Sequence, residues 1–464
     1  FFVEQAIAIA DKEYDWEWFT ITIMDAKTGA ILASSSSPSF DPNKRDISNY
    51  MDLFSQTPYE PGSTMKTFTY MAAMENGVYN GDETYESGTF TTKDGTVIGD
   101  WDRGGWGTIT FDYGYAMSSN VGVINIIDRH MNSLMLRQYF RRLGFGRKTG
   151  IELPNENKGN LEFKYETEIF NAGFGQGITT TPVQNVKALT PLTNDGMLLK
   201  PYIVSKIVDS TTGEVILENK KEELDRVAST ATVQKMISLM DDCVNGYGNT
   251  GSGYRVEGGE LVGKTGTAQI AENGRGYLSG IENTISSFAG IYPKSNPQII
   301  IYASAKKTSG GSQKPVSNAV KEIVTNVSKY YGNDDTKAQP LEIKDYEVPN
   351  FKNKKLDKVK QTLETNKISY EIIGEGDKVI EQSPNPKDII TTNDKVYLIT
   401  NKEKKMPNLI GKSSKVAKDI LVKLGIKTKL EGVGYVTEQS ISESTPIEEN
   451  MEIELKLSPK FNGE

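Results

Sequence analysis

A set of landmarks recurs in register between Val348 and Ser440, and this constrains the chain more than anything else in it. Val348-Pro349-Asn350 returns as Met406-Pro407-Asn408, and Asn366-Lys367-Ile368 as Leu424-Gly425-Ile426. Gly374-Glu375-Gly376 returns as Gly432-Val433-Gly434, and Val379-Ile380-Glu381-Gln382-Ser383 as Val436-Thr437-Glu438-Gln439-Ser440. Several landmarks repeating in order mean two copies of one small folding unit. Each copy reads as a turn, one helix, then short strands around a proline turn, which gives two αβ modules at 338–402 and 403–460. The polar run Asn333-Asp334-Asp335-Thr336-Lys337 before them reads as a linker. It leaves residues 1–335 as a domain of their own, in keeping with a length of 464 residues.

That first region mixes strands and helices. A short helix is expected over 1–12. Phe19 to Met24 alternates as a strand, and the Asp25-to-Gly29 turn returns it through Ala30 to Ala33 as a hairpin. A polar segment from Ser34 to Thr57 follows. Gly77 to Gly107 is rich in Gly, Asp and Thr, with Trp101 and Trp106 interrupting it, and reads as a long loop of the kind that borders sites. Phe111 to Asn132 reads as helical, broken near Ser118-Ser119-Asn120. A helix with the face Val183, Val186, Leu189 and Leu192 comes next, then a hairpin over 201–219. An amphipathic helix is expected from Thr230 to Val244. Strand-like runs occupy Leu261–Ile270, Thr284–Tyr292 and Ile299–Ala305, and Pro315 opens a last helix. Strands at both ends with a helical insertion between them indicate an α+β domain.

Composition narrows the chemistry. The chain has one histidine, His130, and one cysteine, Cys243. A Ser-His-Asp triad would rest wholly on His130, at the end of a helical run, and a zinc site lacks its ligands. Cys243 falls on an apolar helix face, where a packed thiol is expected. If the chain does nucleophilic catalysis, lysine is the base left to it. A net charge of −8 with interspersed signs excludes a nucleic-acid partner as the leading reading. No run approaches the length of a membrane span.

Three short motifs carry candidate chemistry. In Glu60-Pro61-Gly62-Ser63-Thr64-Met65-Lys66, Ser63 stands at a helix start and Lys66 one turn later on the same face. A serine beside a desolvated amine can be an activated nucleophile; a capping serine with a surface lysine is the alternative, and Ser304 and Lys307 share the spacing. Ser118-x-Asn120 offers a hydroxyl to pass a proton and an amide to grip a substrate. Lys264-Thr265-Gly266-Thr267 lies on a strand. There Lys264, Gly266 and Ala268 face one way while Thr265 and Thr267 face the other, so two hydroxyls and a cation can bind a carboxylate. Gly266 lets a ligand backbone come close. Lys-Thr-Gly also occurs at Lys27 and Lys148, and Ser-x-Asn at Ser383, all in structural settings.

Ser-x-x-Lys, Ser-x-Asn and Lys-Thr-Gly in this order form the motif set of penicillin-recognising serine enzymes. With the wording around them, including Phe174-Gly175-Gln176-Gly177 and Gly263-Lys264-Thr265-Gly266-Thr267-Ala268-Gln269, residues 1–335 closely resemble the class B penicillin-binding proteins, the D,D-transpeptidases of Gram-positive cell division. The two repeats resemble PASTA modules. The resemblance implies a penicillin-binding transpeptidase fold, a central antiparallel sheet flanked by helices plus an all-helical subdomain. It implies acylation of Ser63 by a peptidoglycan stem peptide or a β-lactam, with Lys66 as base and Ser118 as relay. Asn120 would hold the substrate amide. Backbone N–H groups of Ser63 and Thr267 would form the oxyanion hole, and Lys264, Thr265 and Thr267 would bind the terminal carboxylate. Trp101 and Gln269 would line the cleft. It implies no cofactor or metal, an amino-terminal membrane anchor with the catalytic domain outside the cell, and division-machinery partners that include a glycan polymerase. A serine β-lactamase shares the trio, but no Glu-x-x-Leu-Asn string lies between Asn120 and Lys264. A non-catalytic β-lactam or muropeptide sensor is the other alternative. The repeats are expected either to bind wall material or only to pack.

Overall fold

The computed structural model describes residues 1–39, 50–246, 248–272, 276–330, 345–366, 368–391, 395–402, 404–432, 435–448 and 451–458. The expected linker at Asn333–Lys337 lies outside the described residues, as do part of the Ser34-to-Thr57 segment and the landmarks Lys367, Val433 and Gly434. The chain divides into two units, Phe1–Gly332 and Asn333–Glu464.

In the first unit, α1 spans Phe2–Ala10, and the hairpin is Trp18–Asp25 (β1) with Ile31–Ser37 (β2). Asp25 closes its turn, accepting from the Lys27 and Thr28 N–H groups at 2.9 and 2.7 Å and from the Thr28 hydroxyl at 2.8 Å. That accounts for the first Lys-Thr-Gly as a turn. Val262–Gln269 (β3), Thr284–Tyr292 (β4) and Ile299–Lys306 (β5) complete a five-stranded antiparallel sheet, ordered β3-β4-β5-β1-β2. β1 pairs with β5 from Trp18 opposite Lys306 to Asp25 opposite Ile299, so the sheet joins distant parts of the chain. β3 is an edge strand.

Between β2 and β3 run α2 (Lys66–Glu75), α3 (Phe111–Ala116), α4 (Asn120–His130), α5 (Ser133–Arg142), α6 (Glu166–Gly173), α7 (Pro182–Leu189) and α8 (Thr230–Asn245). After β5 comes α9, Lys314–Tyr330. One sheet face packs on α1 and α9 through Val3, Ile7, Phe19, Ile21, Phe288, Ile301, Val320 and Ile323. The other packs on the inserted helices through Met65, Phe68, Val186, Leu189, Met240, Ile300 and Tyr302. β4 is buried along its whole length because both faces are covered.

Two expectations need correcting. α7 ends at Leu189, so Leu192 of the expected face falls in the turn Thr190–Leu192 that follows, and the side opposite Val183, Val186 and Leu189 is buried too, Gln184, Asn185 and Lys187 included. Gln184 is accommodated by donating to the Arg147 and Lys158 carbonyls at 2.8 Å and accepting from the Thr181 N–H at 3.0 Å. The 77–107 loop also contains strands: Thr84–Glu86 pairs with Thr108–Thr110, and Thr89–Thr91 with Val97–Gly99. Three-residue strands are too short to show a period.

In the second unit each module has one helix, Leu356–Thr365 or Ser414–Leu424, and a three-stranded sheet mixing one parallel and one antiparallel pair. The repeated glutamines explain why the landmarks recur. Gln382 accepts from the Phe351 N–H at 2.7 Å and donates to the Pro349 and Pro384 carbonyls. Gln439 accepts from the Leu409 N–H at 2.7 Å and donates to the Pro407 and Ile441 carbonyls. One side chain thus locks the Pro-Asn turn to the strand in both copies.

Candidate active site

The Ser63 turn is wedged between the sheet edge and the loop that carries Gly175. Gly62–Met65 is a single 3-10 turn leading straight into α2. Gly62 has φ +61, and a Cβ there would stand 2.8 Å from the Thr267 carbonyl oxygen. Gly175, at φ +84, comes so close that its Cβ would lie 2.1 Å from the Gly62 oxygen, while the Gly62 N–H donates to the Gly175 carbonyl at 3.0 Å. Only glycine at both places lets β3 and the 175 loop approach the turn from either side. Thr64 points the other way, its hydroxyl on the Pro61 carbonyl and near Tyr302. Ser63 itself is part-exposed, and among the described residues its side chain makes no hydrogen bond.

Lys66 is fully buried, which rules out the surface-lysine alternative. Its Nζ donates to the Ser118 carbonyl at 2.5 Å and to Asn120 Oδ1 at 2.8 Å, and lies 3.4 Å from Ser118 Oγ. Lys264, also fully buried, donates to Ser118 Oγ at 2.8 Å and to the Thr265 carbonyl at 3.2 Å, with its ammonium over the Tyr115 ring. The first and third motifs therefore converge on the second. Burial, and then the Lys264 charge, push Lys66 well below the ordinary lysine range, with Asp100 opposing. Burial also lowers Lys264. A neutral amine has two N–H bonds and one lone pair. Two carbonyl oxygens take the N–H bonds of Lys66, and the lone pair is left for a hydroxyl proton.

The strand alternation is as read. Thr265 is buried, its hydroxyl on that of Thr250 at 3.4 Å; Thr267 is exposed and accepts from Gln313 Nε2 at 3.1 Å. Gln269 is exposed on the same face. Trp101 is 65% exposed and donates from its indole to the Met117 carbonyl at 3.0 Å, so it borders the second motif. The competing strings are structural. Ser304 is buried in β5 against the Tyr59 hydroxyl, and Thr149 donates to Glu156 in a turn. His130 ends α4 on Glu83, and Cys243 is buried in α8.

Sequence reasoning missed three groups. Glu60, pushed up to about 7 by burial, accepts from the Gly177 N–H at 3.0 Å and the Tyr277 hydroxyl at 3.1 Å, tying the hairpin after β3 to the Ser63 turn. Gln313 bonds to β3, and Asp100 lies beneath the second motif. For Glu60 alone a signal was in hand, its place within the first motif.

The family model for the penicillin binding protein transpeptidase domain matches residues 19–326, about two thirds of the chain. The chain belongs to the penicillin-binding protein transpeptidase family. The PASTA domain model matches residues 346–402 and 404–459. Among curated relatives, stage V sporulation protein D of Bacillus subtilis is 31% identical over 407 residues, covering 82% of this chain and 60% of the relative. Penicillin-binding protein PbpB of Mycolicibacterium smegmatis is 30% identical over 313 residues, covering 64% of this chain and 47% of the relative. The chain thus spans 60% and 47% of the lengths of those two relatives. The crystal structure of penicillin binding protein 2X from Streptococcus thermophilus shares the fold, with TM-score 0.64, 24% identity, and coverage of 98% of this chain and 70% of that one. Penicillin binding protein 3 from Mycobacterium tuberculosis, complexed with aztreonam, gives TM-score 0.65, 25% identity, and coverage of 73% and 78%. Among the described residues no helix is long and apolar enough to cross a membrane.

Proposed function

We propose that this chain is a serine D,D-transpeptidase that cross-links peptidoglycan stem peptides and is acylated by β-lactams. The observation that carries the reading is the meeting of Lys66 and Lys264 on Ser118 Oγ, beside the turn that presents Ser63. Ser63 Oγ attacks the penultimate D-Ala carbonyl while neutral Lys66 takes its proton. Ser118, between the two lysines, returns a proton to the departing D-Ala amine. The peptide ester on Ser63 then passes to an acceptor amine, whose lost proton restores the enzyme. The Ser63 and Thr267 N–H groups face the developing oxyanion, at about 3 kcal/mol per donor. Asn120 keeps one amide hydrogen for the substrate, since its Nδ2 spends the other on the Gly99 carbonyl. Lys264, Thr265 and Thr267 take the terminal carboxylate at the open edge of β3, with Trp101 and Gln269 on the rim.

The catalytic part is residues 1–335, followed by PASTA modules at 338–402 and 403–460. A substrate outside the cell membrane puts the catalytic part on that side, with an anchor holding it there. Cross-linking consumes polymerised glycan, so a glycan polymerase of the division machinery is the partner this chemistry calls for. A fluorescent penicillin should label the chain and leave Ser63→Ala unlabelled; labelling of another serine in the mutant overturns the assignment. Transfer of the acyl group to an added D-amino acid separates a transpeptidase from a β-lactamase, which gives it to water, and from a sensor, which keeps it.

A further inference from the structure

Three consecutive residues of the 77–107 loop clasp the second motif. The Gly99 carbonyl accepts from Asn120 Nδ2 at 2.9 Å, and the Trp101 indole donates to the Met117 carbonyl at 3.0 Å. Between them Asp100, 4% exposed, accepts on Oδ1 from the Ser119 hydroxyl at 2.9 Å and the Val121 N–H at 3.0 Å. Its Oδ2 accepts from the Gly88 N–H at 2.9 Å. The clasped segment is unusual in itself: Ser118 has φ +57, a left-handed conformation that a serine keeps only where its surroundings impose it. That conformation turns the Ser118 carbonyl to Lys66 and its hydroxyl to Lys264.

We propose that Asp100 is a positioning residue for the acylation step: its carboxylate pins the first turn of α4 so that Ser118 and Asn120 meet Lys66, and its charge faces that of the buried Lys66. The inference rests on the reading of Ser63 and Lys66 given above. The titratable groups facing Lys66 are Lys264 from β3, Asp100 from the loop and Cys243 from α8. Tyr115 of α3 lies beneath Lys264. Asp100 favours the charged form of Lys66, whereas burial and Lys264 oppose it. Without the carboxylate, Lys66 loses its proton at lower pH.

The test uses the full chain and the second-order rate of acylation by a fluorescent penicillin from pH 5 to 10, with thermal melting at each pH. Asp100→Asn keeps an acceptor for Ser119 and Val121 but loses the charge and the acceptor for the Gly88 N–H. Its plateau rate should fall about tenfold, and the inflection of the acid limb should move down by about one pH unit. Asp100→Glu, which keeps the charge on a longer arm, should lower the plateau and leave the inflection where it is in the wild type. An unmoved inflection in Asp100→Asn, or a wild-type plateau in Asp100→Glu, overturns the proposal. If Asp100→Asn melts below the assay temperature, Asp100→Glu decides alone. Ser63→Ala run alongside separates the two readings. Label retained there sinks the acylation site itself, whereas a dead Ser63→Ala with an indifferent Asp100→Asn sinks only this inference.

Discussion

Lys66 and Lys264 both reach Ser118 Oγ, at 3.4 and 2.8 Å, and both are fully buried. Two like charges so close in a low dielectric favour the loss of one proton. Lys66 is the one to lose it: burial and the Lys264 charge both lower it, and its two N–H bonds already have carbonyl acceptors. Lys264 lies over an aromatic face, which suits a cation. Arginine at each position distinguishes the roles, because guanidinium keeps its proton at any usable pH. Lys66→Arg should slow acylation by about a thousandfold, the scale of a lost general base. Lys264→Arg should keep about a tenth of the rate or somewhat less. Equal losses in penicillin labelling would contradict this division. The wild-type rate should rise with pH through an inflection below the ordinary lysine value, since the neutral form acts. Stability moves in the same direction. With Lys66 held below its unfolded value, the unfolded chain binds more protons, so folding strengthens as pH climbs toward that value.

At the scale of elements, the site depends on β3 keeping its place as an edge. Gln313, just before α9, donates from Nε2 to the Gly266 carbonyl at 2.7 Å and to Thr267 Oγ1 at 3.1 Å, and accepts from the Tyr254 hydroxyl at 2.7 Å. Tyr254 is itself fixed flat on Phe288, with ring centres 4.0 Å apart. Gln313→Leu removes both bonds to the strand and should cut the acylation rate about tenfold, from one to two hydrogen bonds of about 1 kcal/mol each. A rate within twofold of wild type, in a protein whose melting point has dropped, would make Gln313 a fold brace only. The strands around this clamp were legible because β1, β3, β4 and β5 are long enough to show their period and their bounding turns. Their pairing was not. β1 lies beside β5 across most of the unit, and such a contact leaves no spacing to read. The same holds within the site. Ser63, Lys66, Ser118, Asn120 and Lys264 stand out because the proposed chemistry needs given residue types a turn or a strand step apart. Asp100 and Gln313 act across long sequence separations, each as one polar residue among others in a polar loop. Nor does a serine announce a left-handed backbone, as a glycine would have at 118.

At the scale of the molecule, the two units were legible for opposite reasons. The first was marked by its chemistry and the second by its repetition, with Gln382 and Gln439 making matching bonds in each copy. The division falls between Gly332 and Asn333, and the three motifs, Asp100, Glu60 and Gln313 all lie before it. Among the described residues each unit has hydrophobic clusters of its own, those of the first ending at Val327 and those of the second beginning at Val348. Two units with cores of their own can fold apart. A chain of residues 1–336 should therefore melt cooperatively and acylate at nearly the rate of the full chain. The measurement is the second-order rate with a fluorescent penicillin, set beside melting curves of both proteins. The melting control matters, because a truncated chain that unfolds would lose its label for reasons unrelated to the site. A folded 1–336 chain that acylates about tenfold slower, a barrier change of about 1.4 kcal/mol, would give residues 337–464 a part in shaping the active site. Equal rates would leave the modules a task separate from the chemistry, such as holding wall material.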